Sequence, residues 1–215
     1  MSDRSRRRAR RNRIAYNSVM WVLVIFAISV LPMYFITNYY EDTKRKLEEM
    51  NYPRDYSEYV EIAAEKYELD PALIFAVIRT ESSFDPNAES PVGACGIMQI
   101  MPSSFEWLQT KRGEEGQYTD KDLFNPEICI DYGSYLLKYF YDYYGTERSA
   151  VAAYNAGFVV GDWLENSQYS VDGKNLDEIP YPETANYVVK VENAKKMYKE
   201  LYFEQNNYDT GKEDE

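Results

Sequence analysis

The chain has no histidine among its 215 residues, and it has only two cysteines. The lack of histidine excludes a Ser-His-Asp triad, a Cys-His dyad and every metal site that needs an imidazole ligand. Two thiols are too few for a four-cysteine zinc site or iron–sulfur cluster. Acid–base chemistry in this chain is therefore left to carboxylates, tyrosine, lysine and the two thiols.

Positive charge is scarce in most of the chain and is concentrated at its start. The chain holds 24 Lys+Arg and 36 Asp+Glu, a net charge of −12. Residues 1–13 contain seven arginines, residues 14–40 contain no charged side chain, and residues 41–215 contain 17 basic and 35 acidic residues. This acidic balance argues against nucleic acid as a partner, because binding to phosphates needs a basic face. An arginine block alone could be a nucleic-acid arm, but before an apolar run it is typical of the cytoplasmic flank of a membrane helix.

An apolar run from Val19 to Ile36 is interrupted only by Ser29 and Pro32. With its neutral flanks, residues 14–40, it meets the ~20 residues that a helix needs to cross the hydrocarbon of a membrane. A cleaved signal peptide is the alternative, but its apolar region usually has only ~7–15 residues. We therefore predict one membrane helix over residues 14–40, with residues 1–13 in the cytoplasm and the rest of the chain outside the cell membrane.

For residues 41–215 the sequence predicts a charged stalk (residues 41–54), a folded domain (55–203) and an acidic, disordered tail (204–215). Helix-start signals recur in the folded domain, as in Asp70-Pro71 and Asn125-Pro126, where an N-cap residue precedes proline. Apolar residues recur at spacings of three and four, and no stretch alternates as a strand does. The sequence predicts an all-α fold.

Glu81 is the first candidate for chemistry. It follows Val77 by four residues and Ile78 by three, so it belongs to the apolar side of its helix. An apolar environment disfavours the charged carboxylate and raises its pKa, which suits a general acid near neutral pH. The alternative is a glutamate at the end of a helix that simply extends into water.

The segment after Glu81 is rich in turn residues, and it leads from Ser90 through Gly93 and Gly96 to Gln99. Glycine permits positive φ and a close approach of the backbone to a ligand. We interpret the segment as a loop folded over the end of the Glu81 helix, from which the Gln99 amide could bind a polyhydroxylated ligand.

Four segments in order resemble the catalytic domain of the soluble lytic transglycosylases. They are ESSFDPNAESPVGACGIMQIMP (81–102), NPEICIDYGSYLL (125–137), AAYNAG (152–157) and PETANYV (182–188). The resemblance covers residues 56–202 and implies a lysozyme-like fold, similar to goose-type lysozyme. It also implies cleavage of the MurNAc–GlcNAc β-1,4 bond of peptidoglycan glycan strands, with a 1,6-anhydro-MurNAc end as product and with no metal or cofactor.

The resemblance makes Glu81 the single catalytic acid and base. It places a set of substrate-binding residues around it, on the loop, on the cleft floor and on the far wall: Ser90, Gly96, Met98, Gln99, Tyr154, Asn155, Glu183 and Tyr187. From the residues alone, Tyr154 could equally be a core aromatic, and Met98 is by default a core filler.

Two alternatives remain open at this stage. One is a hydrolytic lysozyme on the same fold, in which Glu81 acts with a positioned water. The other is a membrane-tethered module that binds the wall or assists its assembly without catalysis.

Cys95 and Cys129 depart from the family pattern, because the family has small or variable residues at the first position and commonly Asn at the second. That both departures are cysteines is easier to explain if the two positions are neighbours. Outside a membrane such a pair can oxidise and persist, so a disulfide is one hypothesis. Two buried free thiols are the other.

Overall fold

The computed structural model describes residues 3–204, with side chains at position 13 and from position 15 onward. These residues form helices and turns but no strand, and extended pairing is limited to isolated bridges at Glu89–Cys95 and Cys95–Ile100. The predicted all-α fold is confirmed, whereas the predicted tail from residue 205 onward lies outside the described residues. The helices are α1 (Asp3–Asn51), α2 (Ser57–Tyr67), α3 (Pro71–Ser82), α4 (Pro102–Arg112), α5 (Pro126–Tyr144), α6 (Glu147–Ala156), α7 (Val160–Glu165) and α8 (Pro182–Tyr198).

Helix α1 is a compact unit of its own, and the chain divides after Asn51. From Ala15 onward it is long and apolar enough to cross a membrane, and none of its apolar window is buried by protein. The first part of the predicted stalk, residues 41–51, continues the same helix. Charged pairs one turn apart support it there, including Lys46–Asp42 at 2.7 Å and Arg45–Glu49 at 2.9 Å.

Helix α3 is the centre of the second unit. Seven consecutive residues, 72–78, are all at most 2% exposed, so the helix is enclosed on every side. A helix that is apolar all round is typical of a core position. It packs mainly against α8 and also against α2, and α5 packs against α2 and α6. The last turn of α3 therefore brings its side chains to the edge of the core.

The N-cap signals in the sequence place the helix starts correctly. Asp70 Oδ1 accepts a hydrogen bond from Ala72 N at 3.0 Å, and Asn125 Oδ1 accepts one from Glu127 N at 3.0 Å. The sequence analysis missed α7 and a 3-10 turn at Asp120–Phe124. Both are too short to show a periodic apolar pattern.

One cluster of charged residues joins three helices at the side of the core. Asp131 on α5 accepts hydrogen bonds from Lys66 Nζ at 2.7 Å, from Tyr67 OH at 2.8 Å and from Arg112 at 2.6 Å. Burial acts to raise the pKa of Asp131, but these three donors outweigh it, so the pKa lies below its ordinary value. Asp131 therefore stabilises the folded state as a carboxylate.

We predict that Asp131→Asn lowers the free energy of unfolding by about 2 kcal/mol, because Arg112 and Lys66 lose their shared counter-charge in a partly buried site. Urea unfolding of the full chain in detergent at pH 7 measures this. Asp142→Asn is the matched control, since Asp142 pairs with Lys138 only at the exposed surface and its loss should cost less than about 0.5 kcal/mol. Equal losses in the two variants would contradict the prediction. The wild-type advantage over D131N should disappear as the pH falls below the ordinary range of aspartate, where Asp131 becomes protonated in both states.

Candidate active site

The end of α3 is fixed to the loop that follows it. Ser83 and Phe84 adopt positive φ values of 53° and 69°, which turns the chain back at the helix end. Ser82 Oγ donates to Ile97 O at 2.8 Å, and this bond ties the last turn of α3 to the far side of the loop. The predicted arrangement, a loop folded over the end of the Glu81 helix, is what the structure shows.

Gly96 lets this loop pack directly on the 3-10 turn before α5. Its φ is +76°, and a Cβ placed on it would lie 1.9 Å from Leu123 O and 2.9 Å from Cys129 Sγ. Any other residue would therefore clash with the backbone as well as strain φ. Gly96 itself is buried, so the structure places it beneath the loop surface.

The Glu81 carboxyl lies at the edge of the core against α8. Tyr187 OH donates to Glu81 Oε1 at 2.6 Å. Burial raises the pKa of Glu81 to about 7, and the hydrogen bond from Tyr187 offsets part of that rise because it favours the charged form. A carboxylic acid that still holds its proton near neutral pH is the arrangement expected from the sequence.

Tyr154 and Asn155 bring the end of α6 to the same place. Tyr154 OH donates to Met98 O at 2.8 Å, and the charge of Glu81 adds to burial in raising the pKa of Tyr154 well above its ordinary value. Asn155 is exposed, and its Oδ1 accepts from Thr184 Oγ1 on α8 at 2.7 Å. Helices α3, α6 and α8 and the loop thus converge around one carboxyl group.

Several residues predicted to contact substrate have structural bonds in the loop. Ser90 Oγ accepts from Ala94 N at 2.9 Å and so closes a turn. The Gln99 amide Nε2 donates to Ala88 O at 3.0 Å and to Gly96 O at 2.8 Å, which supports the positive φ of 49° at Gln99. These bonds leave the Gln99 Oε1 acceptor for a ligand.

Two further predicted residues differ sharply in exposure. The Met98 side chain is 0% exposed and packs on α5 at Gly133, where an added Cβ would lie 2.5 Å from its sulfur. Its side chain is thus a core filler, and any contact of Met98 with substrate is limited to its backbone. Glu183 is exposed on the first turn of α8, and the structure gives it no bond to Glu81 or Tyr187.

The two cysteines are neighbours, as expected, but both are free. Cys129 Sγ lies 3.9 Å from Cys95 O, and it accepts a long contact of 3.5 Å from Met98 N. The Cys95 thiol donates instead to Gly93 O at 3.4 Å. The disulfide considered from the sequence is therefore not formed in this structure, and the two thiols pack in the core beneath the loop.

A groove of about 390 Å³ opens beside this cluster, between the start of α4 and the end of α6. Glu81 does not line it, but Tyr154 and Asn155 do, so the groove begins where the carboxyl cluster ends. The sequence analysis did not identify two of its other lining residues, Trp107 and Phe158. An aromatic residue directly after the AAYNAG segment was the available signal for Phe158.

The arrangement supports proton transfer by one carboxyl group. Within residues 3–204, no group of three or more acidic or cysteine side chains is placed to hold a metal ion. Burial raises the pKa of Glu81, and the hydrogen bond from Tyr187 lowers it. The site thus presents the Glu81 carboxyl beside a groove.

Known proteins share this region of the chain. The soluble lytic murein transglycosylase of Escherichia coli K12 is 34% identical over 146 residues, which cover 66% of this chain and 23% of that protein. The membrane-bound lytic murein transglycosylase C of Actinobacillus succinogenes is 29% identical over 170 residues, covering 69% of this chain and 48% of that protein. The crystal structure of the 70 kDa soluble lytic transglycosylase of E. coli matches with a TM-score of 0.64 at 31% identity, covering 72% of this chain and 25% of that one.

The match spans less than half the length of each of these relatives. Over its own length it is extensive, because the sequence model of the Transglycosylase SLT domain family covers residues 58–176, more than half of this chain. The matched segment includes α3 with Glu81, the loop, α5 and α6. This chain belongs to the Transglycosylase SLT domain family.

Proposed function

We propose that this protein is a membrane-anchored lytic transglycosylase that cleaves the MurNAc–GlcNAc β-1,4 bond of peptidoglycan. The observation that carries the proposal is the Glu81 carboxyl, desolvated at the end of a buried helix, with a pKa of about 7 and a groove beside it. Family membership and relatives named lytic murein transglycosylases support the substrate class. No cofactor is needed for the reaction described below.

Glu81 performs two proton transfers in this mechanism. The protonated acid first donates to the glycosidic oxygen, which breaks the bond to C1 of MurNAc and releases the GlcNAc unit. The resulting carboxylate then accepts the proton of the C6 hydroxyl as that oxygen bonds to C1, so the 1,6-anhydro ring forms and Glu81 regains its proton. The nucleophile belongs to the same sugar, which gives the advantage of an intramolecular reaction.

Tyr187 has a positioning role in this scheme. Its hydroxyl holds Glu81 Oε1 at 2.6 Å and leaves Oε2 for the glycosidic oxygen. It also limits the rise in pKa, because its hydrogen bond favours the carboxylate that exists between the two transfers.

The partner of Glu81 supports this reaction over glycoside hydrolysis, because the proposed mechanism needs one carboxyl group and hydrolysis generally uses two. Hydrolases that retain configuration generally set a second carboxylate ~5–5.5 Å from the acid, and those that invert it set one ~6.5–9.5 Å away to activate water. A tyrosine, Tyr187, is hydrogen-bonded to Glu81, and Glu183 is exposed. A pure wall-binding module, the other alternative, has no use for a desolvated acid with a raised pKa at the edge of the core.

We expect the full chain, assayed in detergent on purified peptidoglycan, to release muropeptides that end in 1,6-anhydro-MurNAc. Mass spectrometry identifies them, because each is lighter than the hydrolytic product by one water. Glu81→Gln keeps the size of the side chain and its acceptor for Tyr187 but cannot donate an acidic proton, so release should fall by at least ~100-fold. Glu58→Gln is the matched control, because Glu58 is exposed on α2 away from the site, and it should retain full activity.

Two outcomes separate the alternatives. Products that carry a full reducing end identify a lysozyme that uses water. Equal release by the wild type and E81Q would remove Glu81 from catalysis altogether.

The raised pKa of Glu81 predicts two effects of rising pH. The activity of the wild type should fall, and the stability of E81Q relative to the wild type should rise. Wild-type activity should fall as the pH rises past about 7, because the acid loses its proton. The ordinary pKa of 4.5 applies to the unfolded chain. Between pH 4.5 and 7 the unfolded chain therefore loses the Glu81 proton while the folded chain keeps it, and the free energy of unfolding of the wild type falls as the pH rises through this range. The unfolding free energy of E81Q should therefore exceed that of the wild type by an amount that grows by about 3 kcal/mol over this range.

Tyr187→Phe provides the internal check on this assignment. Removing the hydroxyl takes away a bond to the charged form, so the alkaline limb of the activity profile should move to higher pH. A profile that stays in place, or a wild-type rate that climbs through alkaline pH, would contradict the acid role of Glu81.

The same proposal includes the location of the domain. We infer that α1 anchors the protein in the cell membrane with residues 1–13 in the cytoplasm and the domain outside, as the arginine block and the apolar helix support. Protease added outside spheroplasts should then digest the domain after Tyr40 and leave an epitope tag at the N-terminus intact. Protection of the domain until the membrane is permeabilised would overturn this orientation.

A further inference from the structure

Helix α8 brings a second hydroxyl group to the site besides that of Tyr187. Thr184 lies in the first turn of α8, three residues before Tyr187, so the two side chains share one face of the helix. Both residues are buried. Tyr187 bonds to Glu81 on α3, whereas Thr184 Oγ1 donates to Asn155 Oδ1 on α6 at 2.7 Å. One face of α8 therefore holds both the acid of the site and an amide.

The bond from Thr184 determines which polar atom of Asn155 remains for a ligand. Asn155 lines the groove next to the carboxyl group, and its side chain is exposed. The χ2 torsion of asparagine is broad and roughly two-fold, so an unrestrained Asn155 would present either its oxygen or its nitrogen. Because the hydroxyl of Thr184 engages Oδ1, the atom that remains is Nδ2, a hydrogen-bond donor.

Thr184 is suited to hold this orientation and not to bind a ligand itself. Its side chain is branched at Cβ, which restricts χ1. It is only 2% exposed, so little water competes for its hydroxyl group. It does not line the groove, whereas Asn155 does. An effect of Thr184 on a bound substrate is therefore expected to pass through Asn155.

We propose that Thr184 is a positioning residue for the cleavage reaction, which fixes the Asn155 amide so that Nδ2 donates to an acceptor oxygen of the glycan. This inference rests on the proposed function, which supplies the glycan. A donor that is fixed before the substrate arrives loses less rotational freedom on binding than a free amide does. Because the bond to the glycan is equal in the ground and transition states, Thr184 acts on KM and not on kcat.

A binding measurement tests the role of Thr184 without turnover. The full chain with Glu81→Gln is titrated in detergent with an N-acetylglucosamine hexamer by calorimetry. In that background Thr184→Val keeps the shape of the side chain but removes the hydroxyl, so it should weaken binding about fivefold, as the loss of one hydrogen bond does. Thr184→Ser, which returns the hydroxyl, should restore the affinity. The matched control is Thr110→Val, because Thr110 is exposed on α4 and its hydroxyl donates to Glu106 O of the same helix, and it should leave the affinity unchanged.

A double-mutant cycle separates positioning from a structural role. Asn155→Ala should weaken hexamer binding at least as much as T184V does, and T184V added to N155A should weaken it no further, because Thr184 then has no amide to position. A structural role of Thr184 would carry the same cost in both backgrounds. Asn155→Asp keeps the acceptor for Thr184 and loses the donor, so its affinity should fall as in N155A. Since Asn155 is exposed, N155D tests the donor independently of any loss of stability in T184V.

Kinetics with Glu81 intact give a second readout. T184V should raise KM for purified peptidoglycan about fivefold and leave kcat nearly unchanged. The alkaline limb of its activity profile should stay where it is in the wild type, because the bond from Tyr187 to Glu81 is kept.

Three results would overturn the proposal. They are equal hexamer affinity in T184V and its parent, a further loss when T184V is added to N155A, and undiminished affinity in N155D, which would make the group that faces the glycan an acceptor. Failure of the proposed function looks different. In that case the wild type releases no anhydro-muropeptides, while the hexamer still binds in a manner that depends on Thr184 through Asn155.

Discussion

The enclosure of α3 is the constraint on which the site depends. Residues 72–78 are surrounded on all sides, and the last turn of the helix lies at the edge of the core, bonded to the loop through Ser82 and to α8 through Glu81. Glu81 lies in that turn, and the carboxyl is desolvated because the helix that carries it is central. An amphipathic surface helix would have let the same glutamate turn into water and keep its ordinary pKa.

The loop over the end of α3 is held by hydrogen bonds to backbone atoms, and these bonds use residues that the sequence analysis assigned to ligand binding. Ser90, Gln99 and Tyr154 each bond to backbone atoms, and Gly96 provides the close approach to Leu123. Their first role is therefore to fix the shape of the cleft. A substrate would bind the polar atoms that these hydrogen bonds do not use, such as Gln99 Oε1 and the amide nitrogen of the exposed Asn155.

The sequence predicts the all-α class, the helix starts and the environment of Glu81, because N-caps and apolar spacing are local signals. It does not predict which helix is central, since Glu81 reads as part of one apolar side whereas α3 is buried on all sides. It also misses the bond from Tyr187, 106 residues away, and the exposed ring of Phe158, because both depend on how distant helices pack. The pair of cysteines shows the same limit: their proximity follows from the pattern, and their unbonded state does not.

The lack of histidine acquires a new meaning once the interior is known. Carboxyl groups ordinarily titrate near pH 4, and tyrosine and lysine near pH 10, so a chain without histidine has a gap in its titration around neutrality. Burial moves the pKa values of Tyr154 and Cys129 further upward, and it moves Glu81 alone into the gap among the described side chains with shifted pKa values. Proton uptake by the folded domain near pH 7 should therefore come from Glu81, and a comparison of the wild type with E81Q separates it from the N-terminal amine, which titrates at about 7.7–8.0.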